Sequence, residues 1–204
     1  MARVIEGING AFRGKVGTVV GYTRNGVGIM RSLPKKSSKA PSQEQLDNRK
    51  KMKVAQAWLK FLVTYVRVGF KNYSQKQHGF GSALSYLKLN AINEDFTVDP
   101  AKVLISCGEL AEPMSPAVHN PEPGVLEFTW EPVVHDNDHA IVVAHAPNSD
   151  KHFGDLSGAK RSAGVHIQNY PGLAGEKMHV YLGFVSQERD KCSNSVYLGM
   201  VTLK

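Results

Sequence analysis

Seven of the eight histidines in this 204-residue chain fall in its second half, at His119, His135, His139, His145, His152, His166 and His179. The densest run, His135-Asp136-Asn137-Asp138-His139, puts two imidazoles and two carboxylates into five residues. Those groups can hold a divalent metal only if their side chains converge, as an i, i+4 histidine pair does on a helix. Pro132 and the Asp-Asn-Asp run instead favour a loop between strands, where such groups face solvent or satisfy one another. If a metal is bound, its expected ligands are His135, Asp136 and His139. No cofactor is expected.

Other chemistries fail on spacing. Gly10-Ala11-Phe12-Arg13-Gly14-Lys15-Val16 approximates a phosphate-binding loop. It is one residue short between glycines, carries Val16 where Ser or Thr would meet magnesium, and has no helix pattern after it. Gly26-Val27-Gly28 continues into Ile29-Met30-Arg31 rather than the third glycine of a dinucleotide fingerprint. Cys107 and Cys192 have neither metal-ligand spacing nor the density of a disulfide framework, so two thiols in a reducing compartment are expected. There is no nucleophile elbow.

Positive charge is the remaining candidate. Arg13, Lys15, Arg24, Arg31, Lys35 and Lys36 lie on a glycine-punctuated segment. Arg49, Lys53, Lys60 and Arg67 recur along one stripe of the helix expected after it. These ten are the expected contacts for an anion or nucleic acid, with Phe12 and Tyr22 interleaved. Binding through charge alone is weak and salt-sensitive. A solvated helix face is the plainer account of the stripe.

The elements that would position these residues follow from local pattern. Val4 to Phe12 reads as a leading strand. Val16–Arg24 and Val27–Leu33 flank Asn25-Gly26, a hairpin signal because a type I′ turn needs positive φ at both central residues. The many glycines call for bulges, coiling or close backbone approach. Ser42 and Gln45 form a capping-box pattern opening a helix to about Val68, with Gly69 as its stop. Ala55, Trp58, Leu59, Leu62, Tyr65, Val66 and Gly69 form its apolar stripe. A second helix is expected over 82–92. From Ala101 onward short strands are expected at 102–107, 124–130, 140–146, 164–168, 177–186 and 195–203.

Apolar residues make up 42% and charged residues 21%, an ordinary globular composition. No apolar run nears the roughly 18 residues of a membrane-spanning helix, and the N-terminus lacks the apolar core of a secretory signal. The expected setting is cytoplasmic, with no membrane contact. Residues 1–99 hold 17 Lys+Arg against 6 Asp+Glu, and residues 100–204 hold 8 against 12. That asymmetry suggests two units, 1–99 and 100–204.

Trp130 followed by Glu131-Pro132, then the late runs His179–Val185 and Ser195–Gly199, resemble the fibronectin type III class over the second half. Asn9-Gly10-Ala11-Phe12, Gly14-Lys15-Val16-Gly17, Val20-Gly21, Arg31-Ser32-Leu33-Pro34, Gln45, Arg49 and Ser195–Gly199 resemble a bacterial family of uncharacterised proteins of the Bacteroidota. That resemblance covers nearly the whole chain and implies no activity. The expected fold is α+β, mostly β: a glycine-rich β-hairpin ribbon with two helices, then an immunoglobulin/fibronectin III-like β-sandwich. The expected function is a non-enzymatic structural or interaction protein that self-assembles or docks a protein partner. Nucleic-acid binding by the basic half is the alternative, and a metal enzyme at the histidine-rich loops comes third.

Overall fold

A computed structural model describes the chain except for residues 1, 5–9, 25, 36–37, 75–76, 147–151 and 173–174. The chain divides into two compact units, Met1–Ser42 and Gln43–Lys204. The first is a four-stranded antiparallel sheet of β1 (Ala2–Val4), β2 (Gly14–Val16), β3 (Val19–Arg24) and β4 (Val27–Ser32), in the order β1-β4-β3-β2. Arg24 pairs with Val27, the closing pair that the expected hairpin requires. Gly26 takes φ 78°, as that turn demands; Asn25 lies outside the described residues. The leading strand is shorter than expected, since residues 10–13 are not in a strand and residues 5–9 lie outside the described residues. Gly21 has a packing reason: a Cβ there would collide with the carbonyl and ring of Phe12. Among the described residues of this unit, only Gly21 and Gly28 are buried.

The second unit begins with α1 (Gln43–Leu59), α2 (Val63–Gly69) and α3 (Gly79–Asn90). The single helix expected to Val68 is therefore two. The break falls at Lys60–Leu62, where the Leu62 amide bonds the Leu59 carbonyl at 3.0 Å, one residue tighter than an α-helical bond. The apolar stripe survives the break: Ala55, Leu59, Leu62, Val66 and Gly69 are buried, and Trp58 and Tyr65 are partly buried. Gly69 ends α2 as expected, and a Cβ there would strike the Ile105 carbonyl.

The strands are β5 (Ala117–His119), β6 (Val125–Thr129), β7 (His139–His145), β8 (His152–Asp155), β9 (Val165–Asn169), β10 (Lys177–Val185) and β11 (Val196–Thr202). They form two antiparallel sheets, β5-β6-β9 and β11-β10-β7-β8. Leu126 and Phe128 of the first meet Ala140, Val142, Val180 and Phe184 of the second in one core. The mostly β fold with a two-sheet sandwich in its second half, expected from the sequence, is thus present, with β5 and β8 added. The strand expected at 102–107 is absent. Pro100–Lys102 is a 3-10 turn. Beyond it, the Ile105 amide bonds the Ser195 hydroxyl at 2.8 Å and the Cys107 amide bonds the Gly69 carbonyl at 3.0 Å.

The helices belong to this same packing. Ile141, Val143, Tyr181 and Val185, on the opposite face of the four-stranded sheet, share a core with Ala55, Leu59, Leu62 and Val66. The layers run helices, four-stranded sheet, three-stranded sheet. The boundary drawn near residue 99 from charge falls inside this unit. Charge sorts at residue 42 instead: residues 1–42 hold 8 Lys+Arg against 1 Asp+Glu, and residues 43–204 hold 17 against 17. The net +7 of the chain therefore equals that of the ribbon.

Leu59→Ala should lower unfolding free energy by about 2–5 kcal/mol in urea denaturation, as for a fully buried leucine. Lys53→Ala, on the exposed face, should stay within about 0.5 kcal/mol.

Candidate functional site

The histidine-aspartate run is a turn that serves a buried arginine. His135 is exposed at φ 64°, and the Asp136 amide bonds the Val133 carbonyl at 3.2 Å. One Asp136 carboxylate oxygen accepts from the Asp138 amide at 2.8 Å; the other lies 3.8 Å from Arg161 Nε. Arg161 is 4% exposed and donates from its two terminal nitrogens to the Ala111 and Glu112 carbonyls, each at 3.0 Å. A buried charge needs such pairing. His139 Nδ1 sits 3.0 Å from the Gly158 carbonyl. Asp136 and His139 thus already have protein partners. Among the described residues no group of three or more His, Cys, Asp or Glu is arranged to hold a metal ion. Burial, then the neighbouring Asp136 carboxylate, pushes the Asp138 carboxyl up.

The ten basic residues divide between the units. Arg13, Lys15, Arg24, Arg31 and Lys35 are exposed on the first unit, and Lys36 lies outside the described residues. Strand register aligns Lys15, Val20 and Arg31 in one cross-strand row. Period-2 alternation then brings Tyr22 and Arg24 to the same face. The Arg31 guanidinium lies 5.5 Å from the Tyr22 ring centroid, and Arg13 Nε donates to the Thr23 hydroxyl at 3.2 Å. Arg49 and Lys53 on α1, Lys60 in the turn after it and Arg67 on α2 are exposed on the second unit. Lys60 lies 4.8 Å from the Phe61 ring centroid.

A second histidine group escaped sequence reading. His152, His145 and His179 stand on β8, β7 and β10 in direct register, His145 pairing with each neighbour. Directly opposed residues share a face, with Cβ atoms about 4.5–5.5 Å apart. Trp58 of α1 meets His145 edge-on at 5.1 Å and lies 5.7 Å from His179. Phe61 stacks on His152 at 5.4 Å, and His179 Nδ1 meets the Tyr197 hydroxyl at 2.8 Å. His145 is 2% exposed, and neither of its ring nitrogens has a hydrogen-bond partner; nor does Trp58 Nε1. Burial, then the neighbouring His179 and His152, pushes His145 down to about 4. Burial also lowers His179. His145 and His152 are seven residues apart but His179 lies 27 beyond, and none of the spacings is a ligand motif, so only strand register brings the three together.

The two cysteines, with no spacing motif, line one cavity of about 420 Å³. Both are free thiols. Burial raises Cys107 and pushes Cys192 up to about 11.

A family model described as a family of unknown function, DUF6266, matches residues 11–199. No curated protein matches the chain. Among solved structures, the fn3 domain of human collagen alpha-1(XX) chain is similar at 13% identity and a TM-score of 0.36. That likeness covers 46% of this chain and 84% of that one. No helix among the described residues is long and apolar enough to cross a membrane.

The histidine row has a pH consequence. The pKa of His145 is lower in the folded than in the unfolded chain, so as pH falls below about 6.5 the unfolded chain takes up a proton that folded His145 refuses until about 4. Stability should be full above that window and decline through it. Urea midpoints measured from pH 7 to 4 should fall, and His145→Leu should flatten part of that slope.

Proposed function

Because the chain belongs to the DUF6266 family, whose function is unknown, we propose a role from its physical design: a non-enzymatic interaction protein that associates through the ribbon of residues 1–42. One observation carries this reading. The ribbon is a four-stranded sheet in which no described apolar side chain is buried, so its described residues supply no packed face of the kind that gives a sheet independent stability. Val16 is 63% exposed, and register sets it beside Val19 on the face opposite Lys15 and Arg31. Two such faces brought together would form a sandwich of the ordinary kind, with Lys15, Arg24 and Arg31 outward. A second copy is therefore the partner this reading favours, with an acidic protein partner next. A bacterial source and a cytoplasmic setting, drawn from sequence resemblance and cysteine usage, belong to the same reading.

Light scattering across micromolar concentrations should show a dimer or larger species, and Val16→Lys should shift it toward monomer. A strictly monomeric protein at every concentration would count against association through this face.

Nucleic acid on the cationic face is the second reading. It is favoured by the row that Lys15 and Arg31 share and by Tyr22 beside it. Binding to mixed DNA and RNA should then fall steeply between about 50 and 200 mM salt, and a Lys15→Glu/Arg31→Glu variant should lose most of it. Absence of binding at the low end would remove this reading.

A further inference from the structure

We infer that Cys107 and Cys192 form a thiol–disulfide exchange site, in which a low-molecular-weight disulfide of the glutathione class reacts in the cavity and leaves the two cysteines joined. Both thiols line the same cavity. The Cys107 amide bonds the Gly69 carbonyl at 3.0 Å, and Cys192 Sγ lies 3.6 Å from the Val68 carbonyl. Consecutive carbonyls at the end of α2 therefore hold both cysteines. Gly108 lies so close to the Cys192 peptide that a Cβ at 108 would collide with the Cys192 carbonyl. The Leu110 amide also bonds that carbonyl, at 3.0 Å. Cys107 adjoins Gly108, so the two cysteines stand on chain segments in contact; joining them calls for about 4.4–6.8 Å between Cα atoms.

The cavity also suits the incoming disulfide. Lys71 and Lys191 stand in its wall beside Glu109 and Asp190, a mixed set of charges that can meet the carboxylates and the ammonium of a glutathione-type molecule; burial raises both thiols, so the exchange quickens as pH rises. Cys107 is partly exposed and Cys192 buried, which sets the order. The Cys107 thiolate attacks one sulfur of the small disulfide, forming a mixed disulfide and releasing one small thiolate. The Cys192 thiolate then attacks the Cys107 sulfur, forming the protein disulfide and releasing the second. Two protein thiols are oxidised and one small disulfide is reduced to two thiols, with the two protons passing to the departing thiolates.

The full chain treated with oxidised glutathione and read by intact mass should lose two hydrogens, carry no adduct and regain both thiols with dithiothreitol. Cys192→Ala should stop at a stable glutathionyl adduct on Cys107, and Cys107→Ser should yield no internal disulfide. The inference is overturned by a wild-type chain that stays fully reduced, that accumulates a stable adduct, or that cross-links only between chains. The wild-type measurement decides the matter even if a variant fails to fold.

Discussion

The fold depends on one sheet being covered twice. In a free-standing sandwich, an antiparallel sheet buries one face and shows the other to water. Here β7 and β10 bury both: Val142 and Val180 face the three-stranded sheet, while Val143 and Tyr181 face the helices. Helices that charge alone would group with the ribbon are therefore structural partners of the sandwich. Without Ala55, Leu59, Leu62 and Val66, the outer face of the four-stranded sheet would be an exposed apolar surface.

Polar groups at that joint fall into two kinds. Some are tied firmly. The Tyr181 hydroxyl donates to the Pro100 carbonyl at 2.9 Å, and the Ser193 and Ser195 hydroxyls accept from the Phe184 and Ile105 amides, each at 2.8 Å. Others are not: His145 and the Trp58 indole nitrogen are buried without hydrogen-bond partners. An unmet buried polar group weakens a structure, and His145 lessens that cost by remaining neutral. Arg161 presents the contrasting case, a cation that cannot become neutral and so is given two carbonyls, a carboxylate and the Phe184 ring 4.5 Å away. The turn that looked like a metal site from its composition is part of that arrangement.

The ribbon obeys a different economy. Its strands pair in regular register, none of its described apolar side chains is buried, and it carries net charge equal to that of the whole chain. Its local structure rests on backbone pairing and on close approaches such as Phe12 over Gly21. The sandwich-and-helix unit is neutral overall and densely packed. The two units thus differ in what holds them as well as in fold.

Much of the architecture was legible in residue order because it depends on short-range rules. Asn25-Gly26 marked the hairpin, and the Leu59-Leu62-Val66 spacing marked the buried helix face. Strands were expected around Val142 and Val180 and are present there, but the alternation read at Val180–Phe184 does not hold, because β10 is buried on both faces. The break at Lys60–Leu62 and the loss of a strand at 102–107 were not legible, because both depend on partners distant in sequence: the sheet under the helices, and Ser195 and Gly69 beside Ile105 and Cys107. The candidate sites divide the same way. Composition drew attention to His135, Asp136 and His139; the fold sets His135 and Asp136 in a turn, Asp136 beside Arg161, and His139 at the start of β7 against the Gly158 carbonyl. The histidine row and the paired cysteines gave no local signal. By itself, the sequence determined the element types, the turns and the location of the charge. Strand register and helix docking alone decided which histidines stand side by side, whether the cysteines share a cavity and which cations share a face, because each of those proximities joins residues that the chain keeps far apart.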